Sequence, residues 1–282
     1  MLQLPQQERS SIADDDDQPA AAFRVLIVKC DRLGADALRG TVTQAFCHAQ
    51  TLVCHTAAEA LALLRTSPVF LGLLDLTLPD LDGLDLLTMV TEERLASRLL
   101  VVSERHDEHS RLFLRAMRLE GYFDCQTEPA ENLCGAVRQV AGGGVYFSRS
   151  FQTHATLEGK IPLQALLTET ELRVFAVLGG GCDDREAADW LYLSDKTVKT
   201  HRQNLQDKLG VHTRAELMRE AVHRGVVRYV DGRVLHPGFE RALARRQTHR
   251  AAPAGLNGIQ RTPSGVRGSA KLKTAQFPRS AA

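Results

Sequence analysis

VFLGLLDLTLPDLDG, residues 69–83, decides how the first half of the chain folds. From Val69 to Leu74 no polar side chain interrupts the run, and it ends on a carboxylate, Asp75. A strand with one wet face alternates apolar and polar residues. A short continuous run is a strand buried on both faces, the condition of a parallel sheet covered by helices. In open sheets of that kind, ligands sit beyond the carboxyl ends of the strands, where strand order reverses. Asp75 therefore stands where chemistry is expected.

The same pattern recurs outward from this stretch. Short apolar runs lie at 24–29, 51–55, 69–75, 99–103 and 121–124. Helical periodicity fills 32–46, 57–65, 83–94, 107–119 and 128–141, and Gly142, Gly143 and Gly144 close the unit. Strand then helix, five times over, predicts an α/β doubly wound five-stranded parallel sheet of the flavodoxin type. Its first strand emerges on Lys29, Cys30 and Asp31, in VLIVKCDR (25–32), so a lysine and a thiol flank the expected site.

The chain has 282 residues, 44% hydrophobic and 24% charged, with a formal net charge of +1. That is the composition of an ordinary globular protein of two modest domains, and the total charge singles out no partner. Its distribution says more. Residues 1–22, with Asp14 to Asp17 in a row, read as a disordered acidic tail. Residues 237–282 carry nine Lys and Arg against the single acid Glu240. Six cysteines (30, 47, 54, 125, 134, 182) include no CxxC pair, so neither a zinc spacing nor a secreted disulfide framework is indicated. No apolar run approaches the ~18 residues of a membrane span, and the N-terminus lacks the form of a signal peptide. A cytoplasmic protein with no membrane partner is expected.

After a polar linker at 149–163 the pattern turns wholly helical. Three capping boxes appear: Thr168 with Glu171, Asp183 with Glu186, and Thr213 with Glu216. Gly179–Gly181 and Gly210 supply stops. Four helices follow at 168–178, 184–191, 195–209 and 214–224, making an all-α unit over 164–229. From residue 230 to 282 the chain reads as a basic, mostly disordered tail, with room for a helix at 238–249.

The third of these helices, in SDKTVKTHRQNLQDKLG (194–210), has two faces. Val198, Leu205 and Leu209 form an apolar seam. Lys196, Lys199, Thr200 and Gln203 recur at i, i+3, i+4 and i+7 on another, flanked by Arg202 and Lys208. Long donors and an amide on one face suit base edges in a major groove; a merely solvated face is the competing reading. The preceding short helix, with Ala187 and Ala188 small enough for a close crossing, and a three- to four-residue turn complete a helix-turn-helix arrangement. Ten Lys and Arg balance ten acids over 164–229, so any attraction to phosphates depends on clustering.

Residues 167–227, with TVKTH (197–201) and KLGV (208–211), resemble the LuxR-type DNA-binding domain. The resemblance implies that Lys199, Thr200 and Gln203 face bases, with Lys196, Thr197, His201, Arg202 and Lys208 beside phosphates or the groove wall. Residues 23–148, with Asp75, Thr77, Pro79 and Gly83 at their spacing, resemble a response-regulator receiver. Together the two units resemble the NarL/FixJ class. By position Asp75 matches the phospho-acceptor, Ser103 the switch hydroxyl and Tyr122 the switch aromatic. The departures cluster at one place. Lys29 and Cys30 occupy the positions of the acid pair that holds Mg²⁺, and Cys125 that of the lysine at the end of strand five. A thiol and an ammonium are poor Mg²⁺ ligands, so no cofactor is expected. A one-residue slip could bring Asp31 inward instead, and Lys29 could pair with Asp75. Cys30 and Cys125 could also form a redox pair.

These readings converge on a sequence-specific DNA-binding transcriptional regulator, not an enzyme. Its receiver is expected to depend weakly, or not at all, on phosphorylation. Double-stranded DNA and a second copy of the chain are the expected partners. A conventional regulator phosphorylated on Asp75 by a histidine kinase is the alternative; a protein-interaction adaptor and a phosphate sink are readings of other classes.

Overall fold

A computed structural model of the chain describes residues 23–117, 119–152 and 161–239. The acidic tail at 1–22, the basic residues from 240 onward, the helix at 238–249 beyond its first two residues and most of the 149–163 linker fall outside that range.

The N-terminal unit runs β1 (Arg24–Val28), α1 (Arg32–Ala45), β2 (Gln50–Cys54), α2 (Ala57–Thr66), β3 (Val69–Leu74), α3 (Gly83–Glu92), β4 (Ala96–Ser103), α4 (Glu108–Ala116), β5 (Gly121–Asp124), α5 (Glu131–Ala141) and β6 (Tyr146–Phe147). The sheet order is β2-β1-β3-β4-β5-β6, with every pairing parallel. The continuous apolar runs divide between two cores because successive side chains point to opposite faces. Val25, Ile27, Leu71, Leu73, Leu100 and Val102 pack with α1 and α5. Leu26, Val28, Leu74, Val101 and Tyr122 pack with α2, α3 and α4. The expected five-stranded sheet is corrected to six. Tyr146–Phe147 adds an edge strand, too short for any periodicity, just after the glycines.

The residues expected to form a linker begin with a short helix, α6 (Arg149–Gln152), which seats Phe151 against Tyr122 in a stacked arrangement. The C-terminal unit then runs α7 (Leu163–Leu166), α8 (Glu169–Gly179), α9 (Asp184–Leu191), α10 (Asp195–Leu209), α11 (Arg214–His223), β7 (Arg228–Val230) and β8 (Arg233–Leu235). All three capping boxes form, each with both reciprocal hydrogen bonds. The expected boundary at 229 falls short. β7 and β8 make an antiparallel hairpin about Asp231 and Gly232, both with positive φ, and Leu235 is buried beyond it.

The two units touch through α3 and α4 on one side and Leu163 with the segment 224–239 on the other. Arg224 Nη1 donates to Glu108 Oε2 at 3.0 Å, and Glu108 Oε1 accepts from the Leu163 amide at 2.7 Å. The Gly238 amide donates to Asp85 at 2.8 Å, and the His109 ring pairs with the Pro237 carbonyl at 2.8 Å while stacking on Phe239. Gly225 has φ +79 and lies so close to Asp107 that a Cβ would come within 1.9 Å of a carboxylate oxygen.

Candidate nucleic-acid interface and aspartate pocket

The aspartate pocket is built by strand register. Val28 pairs with Leu74 and Cys54, Leu74 with Val101, and Ser103 with Asp124, so Lys29, Asp75, Ser103 and Cys125 meet at the carboxyl ends of β1, β3, β4 and β5. The loop after β3 returns so closely that a Cβ on Gly83 would lie 2.3 Å from the Leu76 Cα, which explains the glycine at that spacing.

Asp75 is 4% exposed and both its carboxylate oxygens are engaged. Oδ1 accepts from the Ser103 hydroxyl at 2.9 Å and from the Thr77 amide at 3.1 Å. Oδ2 accepts from Lys29 Nζ at 2.9 Å. Burial opposes the Lys29 ammonium, but the Asp75 and Asp31 carboxylates outweigh it and hold its pKa above the ordinary lysine value. Asp31 does not slip inward. It caps α1 by accepting from the Gly34 amide, and its other oxygen stands 3.3 Å from Lys29 Nζ. Tyr122 is 2% exposed, and its hydroxyl donates to the Arg105 carbonyl at 2.7 Å. Cys30 and Cys125 are free thiols, not a disulfide. Desolvation pushes Cys125 up to about 11 and raises Cys30 as well, so neither is a thiolate near neutral pH.

The second candidate site is α10. Ser194 caps it, accepting from the Thr197 amide at 3.1 Å, and the two hydroxyls lie 2.7 Å apart. Val198 and Leu205 are fully buried and Leu209 partly so, which fixes the rotation of the helix. Ala187 and Ala188 are buried on α9, as a close crossing requires. Tyr192 makes the turn in a left-handed conformation, φ 58, uncommon for a residue with a side chain. Lys196, Lys199, Thr200 and Gln203 are consequently all exposed on one face. Thr200 donates its hydroxyl proton to the Lys196 carbonyl at 3.0 Å.

The flanking cations are not free. Arg202 grips Asp184 through Nε at 2.9 Å and Nη2 at 3.0 Å. Lys208 Nζ donates to both Glu171 oxygens, at 2.8 and 2.7 Å. Burial disfavours the Glu171 carboxylate, yet Lys208 and the Thr168 amide and hydroxyl outweigh it and hold its pKa below the ordinary range. Two residues expected beside phosphates thus tie α10 to α9 and α8. His201 is half-buried, and its Nδ1 has no hydrogen-bond partner among the described residues.

Sequence reasoning missed a buried cluster between the two units. Asp82, 0% exposed, accepts from Arg105 Nη1 at 2.8–2.9 Å and from Arg228 Nη1 at 2.7 Å. Arg105 also donates through Nε to Asp107 at 3.0 Å. Asp82 and Asp107 carry a helix-cap signature; nothing in the sequence connects them to Arg228.

Residues 165–221 match the family model described as bacterial regulatory proteins, luxR family. The probable transcriptional regulatory protein SgaR of Hyphomicrobium methylovorum is 33% identical over 174 residues, 60% of this chain and 77% of that protein. The transcriptional regulatory protein UhpA of Escherichia coli K12 is 35% identical over 163 residues, 57% of this chain and 78% of that protein. The RcsB response regulator of Salmonella typhimurium aligns with a TM-score of 0.50 at 17% identity, over 72% of this chain and 98% of that one, a likeness of fold. With a receiver-type sheet ahead of the matched helices, the chain belongs to the response-regulator family of DNA-binding transcriptional regulators that carry a LuxR-type helix-turn-helix domain.

Proposed function

We propose that α10 reads a specific operator and that the Asp75 pocket works with little or no dependence on phosphorylation. For the first, Lys199, Thr200 and Gln203 are assigned to base edges and Lys196 to a phosphate. Thr197 and His201 lie toward the groove wall, while Arg202 and Lys208 act by holding the helix in place. Residues 23–148 supply the receiver, and the DNA-binding unit begins at 164 and runs on through the hairpin to 239. A homodimer on DNA follows from the two-fold symmetry such helices match.

The observation that carries the second part is the Lys29 ammonium 2.9 Å from the acceptor carboxylate. Phosphoryl transfer relies on positioned cations to neutralise spreading charge, and on a free nucleophilic oxygen. Here the cation sits on one oxygen and two donors hold the other. The donor set does not fit Mg²⁺, which takes oxygen ligands in octahedral geometry. An ammonium and a thiol stand where carboxylates would be needed, and among the described residues no three His, Cys, Asp or Glu converge.

The conventional reading, phosphorylation by a histidine kinase, has one observation in its favour: the Ser103 hydroxyl donates to Asp75. Selection of bound fragments from randomised DNA, with wild type and Asp75→Ala, tests both parts. One enriched sequence, the same for the two proteins, with wild-type binding unaffected by beryllofluoride with Mg²⁺, is expected. Failure to enrich any sequence refutes the DNA reading. Tight beryllofluoride binding at Asp75 with a change of oligomeric state refutes phosphorylation independence.

A further inference from the structure

We propose that Arg105 relays the state of the Asp75 pocket to the DNA-binding domain, through an aspartate that both domains share. The inference rests on the reading of the pocket as the regulatory site. Arg105 lies two residues beyond Ser103, whose hydroxyl reaches Asp75. Its carbonyl receives the Tyr122 hydroxyl. Its guanidinium is buried and bridges Asp82, the N-cap of α3, and Asp107, the N-cap of α4. Arg228, on the hairpin of the other domain, donates to the same Asp82 oxygen that Arg105 holds. Both guanidiniums also reach the Leu76 carbonyl, one residue from Asp75.

These contacts form one continuous chain from the pocket to the hairpin, and the relay assigns a second position to the segment 103–107. Residues 103–107 have few independent ways to move. If Ser103 leaves Asp75, the backbone that carries Arg105 shifts with it. Two guanidiniums then compete differently for one carboxylate, and the Arg228 contact changes strength. Arg105 has a reserve valence for the second position, since its Nη2 is buried with no partner among the described residues. Asp107 moves in the same step, and it lies directly against Gly225. The DNA-reading face of α10 stays exposed throughout, so the relay alters how firmly the domain is held, not whether the helix is covered.

Hydrogen exchange of the full chain, read by mass spectrometry at residues 224–239, tests the relay together with DNA affinity. Lys29→Met frees Asp75 Oδ2, lets the carboxylate turn away from the Ser103 hydroxyl, and should speed exchange at 224–239 at least five-fold. In an Arg105→Gln background the same substitution should change it less than two-fold. If circular dichroism shows that Arg105→Gln unfolds the receiver, Arg228→Gln replaces it, cutting the bridge from the hairpin side with the same expected loss of response. An equal response to Lys29→Met with and without these arginines overturns the relay. So does a change in DNA affinity on Lys29→Met with no change in exchange, which leaves the pocket reading standing. No change in either on Lys29→Met overturns both.

Discussion

Lys29→Met is the most informative single perturbation of the receiver. It leaves the stem volume at β1 roughly intact and removes the charge. Asp75 is then a 4% exposed carboxylate without its counter-ion. Removing one partner of a buried ion pair costs about 3–5 kcal/mol. The Thr77 amide still donates to Asp75, so the lower end, about 3 kcal/mol, is expected at pH 7. Adding Asp75→Asn to Lys29→Met should restore most of this loss, because replacing both partners of a buried pair is nearly neutral. Exchange of the β1 and β3 amides reads the opening of this domain alone. A loss below about 0.5 kcal/mol at pH 7 would show that Lys29 does not compensate Asp75.

Three further outcomes are expected. Lys199→Ala should cost about 1–3 kcal/mol of operator affinity and relax preference at one base position; a loss uniform across sequences would assign Lys199 to a phosphate instead. Gly40 on α1 and Gly135 on α5 sit inside helices with open space where a Cβ would go, so alanine at each should stabilise the receiver by about 0.5–1 kcal/mol in denaturant titrations, and destabilisation would contradict the packing. His109 has its pKa lowered by burial, with Arg105 adding to the effect and the Pro237 carbonyl, Asp107 and Asp82 opposing it, while Phe113 and Phe239 pack on the ring. The neutral ring is the docked form. Its contribution is complete above the ordinary histidine value of 6.5 and is lost as pH falls below that toward its depressed value. Solution scattering should show the two domains separating on acidification, and the dependence should vanish in His109→Phe.

What the sequence discloses here depends on how local each cause is. Capping boxes such as Thr168 with Glu171 are decided within four residues, and all three form. Runs such as VLIV and FLGLL reveal burial on both faces because each residue reports its own surroundings. The hairpin at 228–235 had a local signal too, since Asp231-Gly232 between short apolar runs is a two-residue turn signature. It was hidden by the basic composition that begins just after it. The Lys29–Asp75 pair was legible as a chemical need once both residues were placed at adjacent strand ends. Bridges such as Asp82 to Arg228 join positions 146 residues apart and leave no periodicity or spacing to detect. Arg202 and Lys208 looked like free donors because the acids that hold them lie on other helices.

The tight fit at residue 225 makes the attachment between the domains brittle in a particular way. Every other amino acid adds a carbon where the Asp107 carboxylate already stands, on a backbone with φ +79 that side chains rarely adopt. Any missense change at this codon would therefore wedge the halves apart without touching either hydrophobic interior. A mutational screen for proteins that still fold and bind operator, yet no longer answer to the N-terminal half, should return to this position again and again.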